Sequence, residues 1–291
     1  MTERKALSIA RFHRLRLGIA FGITDTGLVR HANEDNFLID EALSLVIVAD
    51  GMGGHQAGAL ASAEAILALR EFVSNAGAQE QPKDLDITIP LASVGAQLYQ
   101  LSRSDPRSSH VEQRRDPRHT LCDAVAFANH HVFSQNMARH QGDGSGMGTT
   151  VTGIWQFRAG GPLSVFHVGD SRLYRYRASG LVALTRDQTL YQQALECGAT
   201  VNLPPQNLLA QAVGPYGSIT PEIGSHTIQP GDVYLLCSDG LHGIVPHTVI
   251  EGVVRRATQE NLDDACRQLI ALAKAYGGKD NITAVLICCD L

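Results

Sequence analysis

The 291-residue chain has six cysteines, and no two of them stand at C-x-x-C spacing. Cys288 and Cys289 are adjacent, while Cys122, Cys197, Cys237 and Cys266 are scattered. That pattern argues against a disulfide framework or a zinc knuckle and for a reducing, cytoplasmic setting. No apolar run approaches the roughly 20 residues that span a bilayer, so no membrane role is expected. The start, MTERKALSIARFHRLRLGIAFG, is interrupted by Arg11, Arg14 and Arg16 and has neither a secretory apolar region nor a small-residue cleavage site. Residues 1–17 read as a solvated basic arm ahead of a domain covering 18–291. There is no G-x-x-x-x-G-K-[ST], so the glycines of GMGGH are no nucleotide loop, and no H-E-x-x-H despite 12 histidines. Nor is there an excess of positive charge: the net value is −5 with a pI near 6.2, which speaks against nucleic acid as the main partner.

What is present is ordinary globular material, 44% hydrophobic and 18% charged, enough for a sizeable core. Strand signals run through LRLGIAFGITDTG, NFLIDEALSLVIVAD, TTVTGIWQF, LSVFHVGD, RLYRYR, GDVYLLCSDG and NITAVLICCDL. Helical spacing marks AGALASAEAILALREFV, TLCDAVAFANHHVFSQNMARH, the short TLYQQALECGA and NLDDACRQLIALAKAYG. Residues 74–118 are rich in Ser, Pro, Asp, Gln and Arg and read as a loop-rich insert with one short helix near 91–102. There is no internal repeat and no linker between halves. Strands joined by short turns as well as by helices favour an α+β sandwich over a doubly wound parallel sheet.

Five aspartates stand where apolar segments begin or end: Asp35 in HANEDNF, Asp50 in VIVADG, Asp170 in FHVGDS, Asp239 in LLCSDG and Asp280 in GGKDNITAVL. One Asp-Gly alone is a turn, because glycine tolerates positive φ and aspartate bonds its own backbone. Five strand-end carboxylates brought together would repel one another without a counter-charge. Carboxylate oxygens plus a backbone carbonyl exposed by glycine suit a hard divalent cation such as Mg or Mn, and suit zinc less well.

The segments VRHANEDNF, VADGMGGHQAG, GMGTTVTG, HVGDSRLYRYR, CSDGLHGIV and GGKDNITAVLI resemble, in order and spacing, the metal-dependent (PPM, or type 2C) serine/threonine protein phosphatases, with a bacterial flavour. The resemblance covers about residues 18–291. It implies a four-layer α-β-β-α sandwich, two antiparallel sheets flanked by helices, with a two-metal centre at one end. It implies that Asp50 bridges two Mn or Mg ions, that the Gly51 carbonyl holds one of them, and that Asp239 and Asp280 hold the other. Glu34 and Asp35 would lie close by, mostly acting through water, with Asn281 supporting the site.

Two such ions lower the pKa of a water between them, giving a hydroxide that attacks phosphorus in line with the leaving alcohol. Arg30 matches the family's phosphate-binding arginine, and a guanidinium fork suits the phosphoryl oxygens. The general acid stays open: Met52 stands where some relatives have histidine, and His55, His31 or a metal-bound water remain as alternatives. Many relatives bind a third, weaker ion through the aspartates here numbered Asp170 and Asp239 and a further one four residues on, which here is Gly243. That departure predicts a weak or absent third ion, and His242 is expected to point elsewhere. The 186–214 segment resembles the family's flap, with Asp187-Gln188 where relatives often have Asp-His. Substrates would be phosphoproteins, opposed by a serine/threonine kinase.

Other phosphatase designs fail. Six residues after Cys122, Cys197, Cys237 and Cys266 stand Ala128, Leu203, Gly243 and Leu272, not the arginine a cysteine phosphatase needs. No calcineurin-type G-D-x-H-G or G-N-H-E occurs. DLDIT at Asp84–Thr88 lacks a preceding buried strand and reads as coincidence. The alternative to an enzyme is a catalytically weak member that serves as a binding or scaffolding module.

Overall fold

Strand β13 (Ile282–Cys289) is eight consecutive buried residues, and its side chains divide by parity. Ile282, Ala284, Leu286 and Cys288 enter one apolar cluster, while Val285, Ile287 and Cys289 enter another. Strand β12 (Val233–Cys237) divides in the same way. Successive side chains leave a strand on opposite faces, so a run apolar at every position must be covered on both sides. The architecture follows from that need.

A computed structural model describes residues 7–54, 56–78, 116–139, 144, 146–178 and 180–290. One antiparallel sheet has six strands in the order β1-β2-β13-β12-β9-β10, with β1 Phe12–Leu15, β2 Gly18–Asp25, β9 Arg172–Arg177 and β10 Gly180–Ala183. The other has five, in the order β11-β8-β7-β4-β3, with β3 Asn36–Asp40, β4 Leu45–Ala49, β7 Val151–Trp155, β8 Leu163–Val168 and β11 Glu222–His226. A short pair, β5 (Gly51–Met52) with β6 (Gly148–Thr149), sits beside the second sheet's end. The cluster between the sheets holds Phe37, Val46, Val48, Ile154, Tyr234, Leu236 and Val285. Helices α1 (Gln56–Ala78) and α2 (Pro117–Ala138) cover the five-stranded sheet. Helices α5 (His247–Val254) and α6 (Leu262–Ala275) cover the six-stranded one. Between them in sequence come α3 (Leu190–Glu196) and the single turn α4 (Asp239–His242). The four-layer α-β-β-α sandwich is as expected.

Some expectations need correction. The basic arm is not a free tail from Phe12 onward: β1 pairs with β2, and His13, Leu15 and Leu17 are buried. Arg16 donates to the carbonyls of Ala42, Leu43 and Gln156 at 2.7–2.8 Å, so its charge ties the strand to the rest of the fold. The insert read from residue 74 begins later, because α1 continues to Ala78. The helix expected near 91–102 and the Asp84–Thr88 motif lie outside the described residues. Among the described residues no helix is long and apolar enough to cross a membrane.

Candidate active site

The five aspartates gather at one end of the sandwich because of strand direction. Asp50 follows β4, and Asp35 precedes β3, whose first residue pairs with the last of β4 (Asn36 with Ala49). Asp239 comes two residues after β12, and Asp280 two before β13, its antiparallel neighbour. Asp170 follows β8 through Gly169. Antiparallel pairing places the exit of one strand beside the entry of the next, so residues far apart in sequence meet.

Each aspartate is held differently. The Asp50 backbone is pinned by the GTT segment: its N–H donates to Thr150 Oγ1 at 2.9 Å, and its carbonyl accepts from Thr150 N–H and Thr149 Oγ1, both at 2.9 Å. Asp35 is 3% exposed, and its Oδ2 accepts hydroxyls from Ser238 and Thr283, each at 2.7 Å. Asp280 Oδ1 accepts the Asn281 N–H at 2.8 Å, and its Oδ2 takes Arg30 at 2.7 Å. Asn281 itself grips the Arg30 loop, donating to the Thr26 and Ala32 carbonyls and accepting from the Glu34 N–H, at 2.8–3.0 Å. The Glu34 carboxylate lies against Gly58 in the first turn of α1.

Charge is crowded here. Burial, then the charges of Asp35, Asp239, Asp170 and Asp280, lift the Asp50 carboxyl well above the usual range. Burial pushes Asp35 up to about 7, against the pull of its two hydroxyl donors. Asp170 also rises to about 7, through burial and then the Asp239 charge. Asp239 is raised by burial and by the Asp280 charge. Like charges this close ionise together only beside a cation.

The donor set fits a hard divalent ion. Asp35 Oδ1 and Asp239 Oδ1 are buried with no hydrogen-bond partner, and such atoms demand one. Gly51 admits the close approach: a side chain there would strike the carbonyls of Gly58 and Glu34. As placed, no three His, Cys, Asp or Glu side chains among the described residues converge closely enough to hold an ion by themselves, and the Arg30 guanidinium bonds Asp280 at the rim.

The remaining sequence candidates fall into place as follows. Arg30 reaches the cluster from an exposed loop, with 54% of its side chain open. His31, beside it, is exposed, and Met52 lies on β5. His55 lies outside the described residues. Gly243 caps α4, and a Cβ there would lie 2.7 Å from the Asp239 carbonyl oxygen, so the backbone leaves little room for the side chain it lacks. His242 does not turn away as expected: its Nε2 donates to the Asp170 carbonyl at 2.9 Å. Sequence reasoning missed the hydroxyls that hold the site, Thr149, Thr150, Ser238 and Thr283. Their only signal was their place inside the motifs.

The protein phosphatase 2C family model matches residues 30–286. A serine/threonine phosphatase, Stp, of Listeria monocytogenes is 31% identical over 280 residues, covering 92% of this chain and 94% of that one. The crystal structure of the Mycobacterium tuberculosis serine/threonine phosphatase PstP/Ppp superposes with a TM-score of 0.71 at 28% identity, covering 94% of this chain and 98% of that one. A PstP catalytic domain in complex with two manganese ions gives 0.69 at 29% identity, over the same shares. With matching motifs, matching architecture and a carboxylate cluster at the expected strand ends, this chain belongs to the protein phosphatase 2C family of serine/threonine protein phosphatases.

Proposed function

We propose that this chain hydrolyses phosphoserine and phosphothreonine esters in proteins with the help of two Mn or Mg ions, reversing the work of a serine/threonine kinase. The observation that carries this is the meeting of Asp35, Asp50, Asp170, Asp239 and Asp280 at one strand-end cluster, with orphaned buried oxygens and Arg30 at its rim. Asp50, the Gly51 carbonyl, Asp239 and Asp280 would hold the ions. Asp35, Glu34 and Asn281 would support them, and Asp170 with Asp239 would offer a third, weaker position. When bound, such ions neutralise the carboxylates and make water acidic enough to yield a nucleophile at neutral pH.

The protein's own part is positioning and charge. Thr149 and Thr150 fix the backbone of Asp50 so that its carboxylate cannot drift. Ser238 and Thr283 fix Asp35 behind Asp239. Arg30 leaves Asp280 to place its fork on the phosphoryl oxygens, where charge gathers during transfer. Asn281 keeps the Arg30 loop at a set height above the cluster. The catalytic domain begins with β1, at Phe12, and has the 186–214 flap and the insert as its variable parts. All six cysteines are free thiols, which supports a reducing, cytoplasmic setting.

The test is hydrolysis of a phosphothreonine peptide. Activity should vanish with EDTA and return with manganese. A folded chain that binds phosphopeptides but never turns them over, at any metal concentration, would favour the scaffolding alternative.

A further inference from the structure

The Gly169-Asp170 turn has an unusual support. Gly169 has φ +107°, a conformation that residues with a side chain rarely adopt, and a Cβ there would lie 2.6 Å from Thr150 Cγ2. Glycine is therefore required, yet glycine restrains its own backbone least of all residues. Something outside the turn must fix its direction.

That support comes from Gln188. Its backbone N–H donates to the Gly169 carbonyl at 2.7 Å, and its side-chain Oε1 accepts the Gly169 N–H at 3.0 Å. One residue thus holds both polar groups of Gly169. Gln188 is itself held: its carbonyl accepts the Ala210 N–H at 2.7 Å, and the neighbouring Asp187 makes a two-pronged pair with Arg172 at 2.6–2.7 Å. His167 Nε2 donates to the Arg186 carbonyl at 3.0 Å. On the other side His242 donates to the Asp170 carbonyl, and Thr150 Oγ1 bonds the Ser171 hydroxyl. The body of the segment is different: α3, within it, has no buried residue, and Leu190, Leu195, Val201 and Leu208 are exposed. The 186–214 segment therefore has a rooted base and an open body, and its base is bonded to the turn that carries Asp170.

We propose that Gln188 is a positioning residue, which clamps Gly169 so that the Asp170 carboxylate is presented to the cluster, and that the base of the flap is thereby wired to that carboxylate. The inference rests on the metal-dependent reading above. It gives the base of the flap a task of its own, because a disturbance there reaches Asp170 through two hydrogen bonds.

Two substitutions separate the clamp from simple packing. Gln188→Met keeps the length and removes the acceptor, while Gln188→Glu keeps the acceptor. In the metal-free full-length chain, amide exchange over residues 169–171 should quicken in Gln188→Met and return towards normal in Gln188→Glu. In calorimetric manganese titration, Gln188→Met should weaken the weakest binding step about 3- to 10-fold, the scale of one lost hydrogen bond, and leave the tight steps alone. In an Asp170→Asn background the same substitution should add nothing. Unchanged exchange at 169–171 in a folded Gln188→Met chain would overturn the proposal, as would an equal manganese effect with and without Asp170. An Asp50→Asn chain titrated alongside tests the two-ion reading separately, since losing manganese there upholds it whatever Gln188 does.

Discussion

Arg30 rests on Asp280 at 2.7 Å while half its surface stays open, so the guanidinium that steadies one carboxylate is free to meet an incoming anion. Arg30→Ala should lower kcat/KM about 10²- to 10³-fold, the scale for removing one contact to developing charge, and should change manganese affinity little. Steady-state kinetics with a phosphopeptide checks this, and near-normal values would return Arg30 to the rank of a surface residue. At Gly243 the expectation runs the other way. With no carboxylate there and little room for one, a third manganese should bind only at high metal concentration, because affinity follows the number and charge of the oxygens. Three ions at full occupancy in millimolar manganese would contradict it. At this scale the aspartates were legible, since five of them at strand ends, two followed by glycine, is an improbable coincidence. Ser238 and Thr283 were not: a hydroxyl beside a strand reads as a turn or a cap, and their shared partner, Asp35, is more than 200 residues away in the chain.

Helix α2 shows how an element serves the site without touching it. Asn129 and Asn136, two turns apart, face the same loops. Asn136 is fully buried and bonds Met147 N–H, Met147 carbonyl and Gly214 carbonyl at 2.8–3.1 Å, while Asn129 takes the Gly214 N–H and the Tyr216 carbonyl. These bonds join the end of the flap to the start of the segment that pins Asp50. Asn136→Ala should cost about 3 kcal/mol, since buried partners are left unpaired, and urea unfolding would measure it. Strand β8 adds a pH dependence. His167 donates through Nε2 to Arg186 and accepts from Thr152 at Nδ1, and burial pushes its pKa down to about 4. The unfolded chain takes up that proton near the ordinary 6.5, the folded chain only near 4. Its contribution, about 3 kcal/mol, is therefore present above pH 6.5 and lost as pH falls towards 4. His167→Gln should flatten that slope in unfolding curves measured across the range, and an unchanged slope would refute it. The elements that the sequence hid share a cause. Strand β11 is EIGSH at a sheet edge, too polar to alternate clearly. Helix α5, HTVIEGVV, is β-branched and short, and only Pro246 at its start and its packing on the sheet make it a helix. Strand β1 was concealed by Arg14 and the arginines flanking it, the Arg14 head lying outside while Leu15 lies in.

For the molecule as a whole, the two sheets are a device for carrying five carboxylates to one point against their mutual repulsion. The sandwich was legible from strands joined by short turns as well as by helices and from the motifs' resemblance, and the strands buried on both faces bear it out. The energy of the site was not legible, because it arises only when the strand ends meet. The core on both faces of each sheet holds the carboxylates in place, and their charge is left for cations to neutralise. The most direct measurement is calorimetric titration of the metal-free chain with manganese, beside Asp50→Asn. The account predicts two tightly bound ions per native chain, a rise in unfolding temperature on binding, and loss of both ions in a variant that remains folded. A native chain that takes up no manganese, or an Asp50→Asn chain that binds it as the native one does, would contradict it.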